Sequence, residues 1–364
     1  MSYHAELLTT LDALDAIKEQ WQALYASLPE STGFFSSYPY LRVYLDFHQP
    51  PGWVVVAVYD GDNNKLRGIF PITIFNIQDG NTVYRACKPL GTPYSPYFDF
   101  AVQSHFRRDV LAVFLRDVLR NHYQCDLALL GPLHDSSPLL LVLLEDLDAQ
   151  TLKMVRNPDS LSQIDTRGQT LEGYFRQRKS LTRPNARYQE RRLRKEGTVA
   201  ICIPDHGEDL KELVMQLCRR NETRFSEGNY YSHHADWHAY MTVLATQLAP
   251  QGLAEVATLR LNSQVIASTL SFLHPGRRYF YLMAYDPAFA AFSPSKILMS
   301  HLIEHSFAEK SVFCFGVALY PYKLDWCQSV GDVRTPVVFF NPRARQALDD
   351  KLVAGKLGAF IAHH

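Results

Sequence analysis

This chain of 364 residues has no surplus charge of either sign, since Lys plus Arg and Asp plus Glu number 37 each. No chain-wide field favours nucleic acid, and any basic patch must be local. Cysteine is scarce and scattered: positions 87, 125, 202, 218, 314 and 327 form no CxxC pair and no Cys/His spacing of zinc-site type. That distribution argues for reduced, mostly buried thiols and against disulfides or a structural metal. His233-His234 and His363-His364 sit in polar or terminal contexts, so no metal is assigned. Long hydrophobic runs are also missing. The longest, Pro138 to Leu144, falls far short of the ~20 residues a bilayer-crossing helix needs, and the start MSYHAELLTT holds no apolar segment of signal type. A cytoplasmic location is the expectation.

What is present is a foldable composition, 47% hydrophobic and 20% charged with no low-complexity tract. Such a length supports two domains, each with its own core. Leu11, Leu14, Ile17, Trp21 and Leu24 recur at helical spacing between Thr10 and Ser27, and a short helix is predicted over Pro39 to Phe47. Runs at Trp53 to Tyr59 and Leu66 to Phe75 flank DGDNN and read as an antiparallel hairpin, with a further strand near Val83 to Ala86. A helix over Phe106 to Asn121, a strand Asp126 to Leu130, a helix Leu139 to Leu147 and a short strand near Leu152 complete this half. The polar segment Asn157 to Gln169 lacks apolar periodicity and marks the expected boundary.

The second half repeats that order. Helices across Leu171 to Glu196 precede a strand Thr198 to Ile203 and helices Leu210 to Phe225 and Trp237 to Leu248. Strands Ala254 to Leu261, Val265 to Leu273 and Arg278 to Tyr285 follow, then helix Ser295 to Phe307 and strands Val312 to Phe315 and Thr335 to Phe340. The fold class expected is α/β (α+β), with two similar units, each a mixed, mostly antiparallel sheet flanked by helices. The domains are expected at 1–160 and 161–345, with 346–364 as a tail or helix.

The chemistry concentrates where the apolar strand ending Met283-Ala284-Tyr285 runs through Asp286-Pro287 into Ser293-Pro294-Ser295-Lys296. Ser293 suits a helix N-cap and Pro294 the first helical position. Backbone N–H groups of Ser295, Lys296 and Ile297 would then be free, and with the Lys296 ammonium they would suit a pyrophosphate. An ordinary Ser-Pro cap explains the local pattern more simply. The densest basic run, Arg176 to Lys195, places Arg187, Arg191 and Lys195 on one helical face, either as an anion site or as a solvated surface. Asp99, beside Tyr94, Tyr97 and Phe98, is harder to bury without a partner than its aromatic neighbours, which makes it a ligand-binding candidate.

The segments YDPAF, FSPSKILMSHLIEHSF and FCFGVALYPYKLDW resemble the BioF2-like acetyltransferases of the GNAT superfamily, the group with the cellulose-biosynthesis CelD-type proteins. FFSSYPYLRVYLD, LGTPYSPYFDF, YFRQRKSLTRPNARYQERRLRKEG and LRLNSQVIASTLSFLHPGRRYFYL agree in order, so the resemblance runs from about Trp21 to Trp326. It implies tandem GNAT-like halves, as in the FemABX peptidyltransferases, with the donor site in the C-terminal half. Two positions depart from the pattern: the glycine expected after Ser-Pro is Ser295, and an acidic residue expected on the next strand is Cys314.

The resemblance implies an acyl-CoA co-substrate, or an acyl carrier protein, and an amine acceptor of envelope, polysaccharide or small-molecule kind. Ala284, Tyr285, Ser293, Ser295, Lys296 and Ile297 would hold the donor. The backbone at Tyr285 would polarise its carbonyl, Tyr322 would protonate the leaving thiolate, and Asp286 would accept the amine proton through water or else serve a turn. Tyr320, Lys323, Trp326, Arg183, Arg187, Asp99 and Tyr97 are candidate substrate contacts. An aminoacyl-tRNA donor and a catalytically inactive scaffold are the alternatives.

Overall fold

The computed structural model describes residues 2–28, 33–92, 94–178, 182–204, 209–224, 236–317 and 320–352, leaving out the side chains at 158, 159, 182–184 and 224. The chain divides into two compact units, Met1–Ser160 with Gly331–His364, and Leu161–Val330.

The first unit opens with strand β1 (Tyr3–Leu8) and helices α1 (Leu11–Ala16), α2 (Lys18–Ala26) and α3 (Tyr38–His48). The Thr10 hydroxyl caps α1 by accepting the Ala13 N–H, which satisfies one of the amides left open at a helix start. Strands β2 (Trp53–Asp60), β3 (Lys65–Asp79) and β4 (Thr82–Pro89) form an antiparallel meander, and β5 (Ala101–Val102) pairs with β3. Helix α4 (Arg107–Ala112) continues as a π-helix over Val113–His122 and leads to β6 (Leu127–Leu129), which joins β4 in parallel. After β7 (Leu133–His134) and α5 (Pro138–Asp146), β8 (Leu152–Asp165) carries the chain out of this unit. Phe70, Phe114, Leu119, Leu130 and Leu143 are fully buried in its core, at about 1.5–3 kcal/mol per side chain.

The second unit contains α6 (Leu171–Arg176), α7 (Thr182–Leu193), β9 (Val199–Cys202), α8 (Leu210–Arg224) and α9 (Trp237–Leu248). It continues through β10 (Ala254–Leu261), β11 (Gln264–His274), β12 (Arg277–Tyr285), α10 (Pro294–Glu309), β13 (Val312–Cys314) and α11 (Pro321–Trp326). Strands β9 to β12 are successive antiparallel neighbours, whereas β13 returns through α10 to pair with β12 in parallel. The meander, helix and further strand thus occur in both units, as the element order predicted, and the structure adds that this further strand pairs in parallel. Ile297, Leu298, Leu302 and Ile303 of α10 lie fully buried in this core. The chain then re-enters the first unit along β14 (Ser329–Phe339) and ends its described course in α12 (Pro342–Leu348).

Several sequence expectations need correction. The segment Asn157 to Gln169 is not a linker through its length, because β8 runs to Asp165. Leu161 and Ile164 are buried there, and Gln163 to Asp165 pair with Cys314 to Val312, so cross-strand partners supply what local periodicity lacks. Residues 331–345 group with the first unit rather than the second, since Val337 to Phe339 pair with Leu129 to Leu127. Strand β1 and helix α11 were not anticipated; β1 is short, largely solvent-facing, and defined by its pairing with β2. Among the described residues no helix is long and apolar enough to cross a membrane.

Candidate active site

In the second unit, β12 is held on one side by β11 along Arg277 to Tyr285, with a bulge at Tyr281: Leu270 faces Leu282 while Ser271 faces Phe280. On its other side β12 pairs with β13 only over Arg277 to Tyr279, opposite Val312 to Cys314. Past Tyr279 that parallel ladder does not continue among the described residues. The strand therefore offers an edge over Phe280 to Tyr285, where a ligand amide could pair in place of a strand.

At the end of this edge the chain makes a 3-10 turn, Pro287–Phe292, before α10. Two helices brace it. Arg220 of α8 donates to the Asp286 carboxylate at 3.2 Å and to the Val265 carbonyl at 3.1 Å, while Arg192 of α7 donates to the Ala291 carbonyl at 3.0 Å. The Asp286 carboxylate also accepts the Ala288 N–H at 3.1 Å. It is thus already occupied by an ion pair and a turn, the second of the two roles expected for it. Asn221 donates to the Met283 carbonyl at 3.3 Å. Arg192, Arg220 and Asn221 carry no motif, and only the folded geometry shows that the two arginines hold this turn and Asn221 the strand before it.

Ser293 stands at the N-cap of α10 but does not cap it with its side chain, and its φ of 50° puts it in the left-handed region. That backbone aims the Ser293 carbonyl at the helix, where it accepts the Lys296 N–H at 2.9 Å and the Ile297 N–H at 3.3 Å. Of the three amides expected to be free, two are thereby satisfied. Among the described residues, nothing accepts the Ser295 N–H, and the Ser295 hydroxyl is buried without a hydrogen-bond partner. Lys296 is exposed, whereas the side chains of Ala284 and Ile297 are fully buried and can offer a ligand only backbone.

Helix α11 holds the other candidates of this unit. Tyr320, at its N-cap, is 41% exposed, and its ring stacks on that of Tyr322 with centroids 6.1 Å apart. Lys323 is turned inward, donating from Nζ to the Val317 carbonyl at 2.7 Å. Trp326 is buried against Phe175, and its carbonyl accepts the Tyr174 hydroxyl. Lys323 and Trp326 therefore organise the helix, leaving Tyr320, Tyr322 and Asp325 as its reachable polar groups. Cys314 is fully buried in β13. Arg187 lies 3.8 Å from Glu304, an acid that the helical-face reading did not include. Arg183 is in α7, with its side chain outside the described residues.

Asp99 and Tyr97 belong to the first unit. Asp99 is almost wholly buried, and burial pushes its carboxyl up to about 7, against the opposing pull of the Ser137 hydroxyl, Arg107 and the Phe100 N–H. Ser137 stands at the N-cap of α5 but donates its hydroxyl to Asp99 at 3.1 Å. Tyr97 is also buried, its ring edge-on to Phe35 at 5.9 Å. No group of three or more His, Cys, Asp or Glu side chains suited to a metal occurs among the described residues.

Residues 180–324 match the family model described as an acetyltransferase (GNAT) domain, which contains the whole strand, turn and helix described above. No curated protein matches the sequence. Among solved structures, the chain is similar to FemX, with a TM-score of 0.63 at 10% identity over 96% of this chain and 100% of that one. It is also similar to the C-terminal domain of a putative lysylphosphatidylglycerol synthetase from Agrobacterium fabrum, with a TM-score of 0.53 at 12% identity over 94% and 98% of the two chains. L-PGS from Bacillus licheniformis aligns with a TM-score of 0.52 at 13% identity over 95% and 97%. Residues 180–324 thus match a GNAT acetyltransferase domain, and the chain as a whole shares the fold of FemX.

Proposed function

We propose that the second unit is an N-acyltransferase site that takes an acyl thioester, from acyl-CoA or an acyl carrier protein, along β12 beyond its pairing with β13. The observation that carries this reading is the release of β12 from β13 after Tyr279, directly before a braced turn where the Ser295 N–H and hydroxyl have no partner. The amine nitrogen attacks the thioester carbonyl, the C–S bond breaks, and the thiolate takes a proton. A backbone N–H near Tyr285 polarises the carbonyl, and the Tyr322 phenol supplies the proton to sulfur. Asp286 keeps the turn in shape through Arg220, and the amine proton leaves to water. Ser295, Lys296 and the α10 N-terminus receive the donor's phosphates. An envelope or exopolysaccharide amine is the acceptor class.

The test is to incubate the full chain with acyl-CoA and acyl carrier donors and an amine panel, following thiol release and thermal stabilisation. Failure of every donor either to stabilise the protein or to be turned over would overturn the reading. The likeness to FemX and to lysylphosphatidylglycerol synthetases favours a second reading, an aminoacyl-tRNA-dependent transferase, for which transfer of a labelled aminoacyl group from charged tRNA is the test. Any donor turnover eliminates the third, an inactive scaffold, which Ser295 and the buried Cys314 motivate.

A further inference from the structure

Helix α7 buries Ala186 and Leu193 in the core of the second unit, which fixes the direction of its opposite face. At about 100° per residue that outer face is centred on Tyr188 and carries Arg191 and Arg192 beside it, with Lys195 in the turn just past the helix end. Tyr188 is 53% exposed, an unusual place for a ring with so much apolar area. The Arg192 guanidinium lies 5.9 Å from the Tyr188 ring and 5.2 Å from the Phe292 ring, while donating to the Ala291 carbonyl. One guanidinium thus joins an exposed aromatic face to the turn that precedes α10. Arg191 and Lys195 are exposed, and no ion pair to either occurs among the described residues. Of the two acids next to them in sequence, Glu190 points elsewhere, its carboxylate meeting Arg194 at 2.6 Å and His301 at 2.9 Å, and Glu196 is exposed.

An aromatic ring flanked by cations is the arrangement that stacks a nucleobase and neutralises its phosphates. We propose that this face of α7 binds the phosphorylated adenosine end of the donor, with the purine on Tyr188 and a phosphate monoester between Arg191 and Lys195. The assignment rests on the reading that the turn beside it receives a CoA-type donor. Arg192 is then a positioning residue, holding the turn and one side of the stack together.

The experiment uses the full chain as wild type, Tyr188→Ala, Tyr188→Phe and Arg191→Gln. Ligand-observed saturation-transfer NMR with adenosine 3′,5′-bisphosphate reads the subsite alone, and calorimetry with CoA and 3′-dephospho-CoA reads it within the donor. The wild type and Tyr188→Phe should show transfer to the purine protons, and Tyr188→Ala should not. CoA affinity should fall about tenfold in Tyr188→Ala and in Arg191→Gln, and Arg191→Gln should no longer distinguish CoA from 3′-dephospho-CoA. Because Tyr188 is more than half exposed, its substitution removes little packing. If the bisphosphate binds through Tyr188 but no acyl-CoA is turned over, the acyl-transfer reading fails and this one stands. If acyl-CoA is turned over with the same KM by wild type and Tyr188→Ala, the nucleotide face is overturned and acyl transfer stands.

Discussion

Asp99→Asn should change the pH dependence of stability more than any other single substitution in the first unit. The Asp99 carboxyl rises from an ordinary 3.8 to about 7, first because burial disfavours its ionised form. Between those values the folded state holds a proton that the unfolded state has released, so stability is greatest at low pH and is lost as pH rises toward 7. At about 1.4 kcal/mol per tenfold, the full cost at pH 8 is about 4 kcal/mol, and about 3 kcal/mol of it accrues between pH 4.5 and pH 8. Asparagine keeps an acceptor for the Ser137 hydroxyl and cannot ionise. Its extra N–H group adds a cost of about 1–3 kcal/mol if unpaired, but that cost is the same at every pH and cancels in the comparison. Urea unfolding followed by tryptophan fluorescence at pH 4.5 and 8 gives the readout. The stability of Asp99→Asn relative to wild type should increase by about 3 kcal/mol across that interval. Parallel pH profiles for the two proteins would refute the reasoning, since they would mean that Asp99 titrates alike in folded and unfolded chains.

Other substitutions test the second unit. Arg278 is 1% exposed and pairs with the buried Glu255 and with Glu309 at 3.0 Å, so Arg278→Met should destabilise by about 3–5 kcal/mol, with much of the loss recovered when Glu255→Gln is added, as read by denaturant midpoint. Arg220→Met frees the Asp286 carboxylate and should cost about 1–3 kcal/mol, with the donor KM rising more than kcat falls; an unchanged KM would separate the turn from donor binding. Leu302→Ala, in the fully buried stripe of α10, should cost about 2–5 kcal/mol in thermal or urea unfolding. Tyr322→Phe should lower kcat about a hundredfold with little change in Tm if its phenol protonates the leaving thiolate, and a full rate in the variant would remove that role.

Much of the architecture was legible in the sequence because its signals are local. The runs either side of DGDNN and of Asn262-Ser263-Gln264 are apolar and rich in β-branched residues around strong turns, and the hairpins β2–β3 and β10–β11 form there. The apolar stripe Leu298, Met299, Leu302 and Ile303 likewise specifies which side of α10 is buried. β8 and β14 were harder to read, since residues such as Gln163 and Asp165 become strand only through partners distant in sequence. Their pairing energy is invisible to a local window.

The candidate site divides along the same line. Residue order alone placed the strand ending at Tyr285, its turn and the Ser293-Pro294 helix start next to one another, because they are contiguous. Only the tertiary structure decided which of their polar groups are available to a ligand. The left-handed backbone of Ser293 satisfies two amides and leaves that of Ser295, Arg220 engages Asp286, and the fold buries Lys323 and Trp326 while leaving Tyr320 exposed. Proximity along the chain follows from covalent bonds, whereas the availability of a hydrogen-bonding group depends on every element that packs against it.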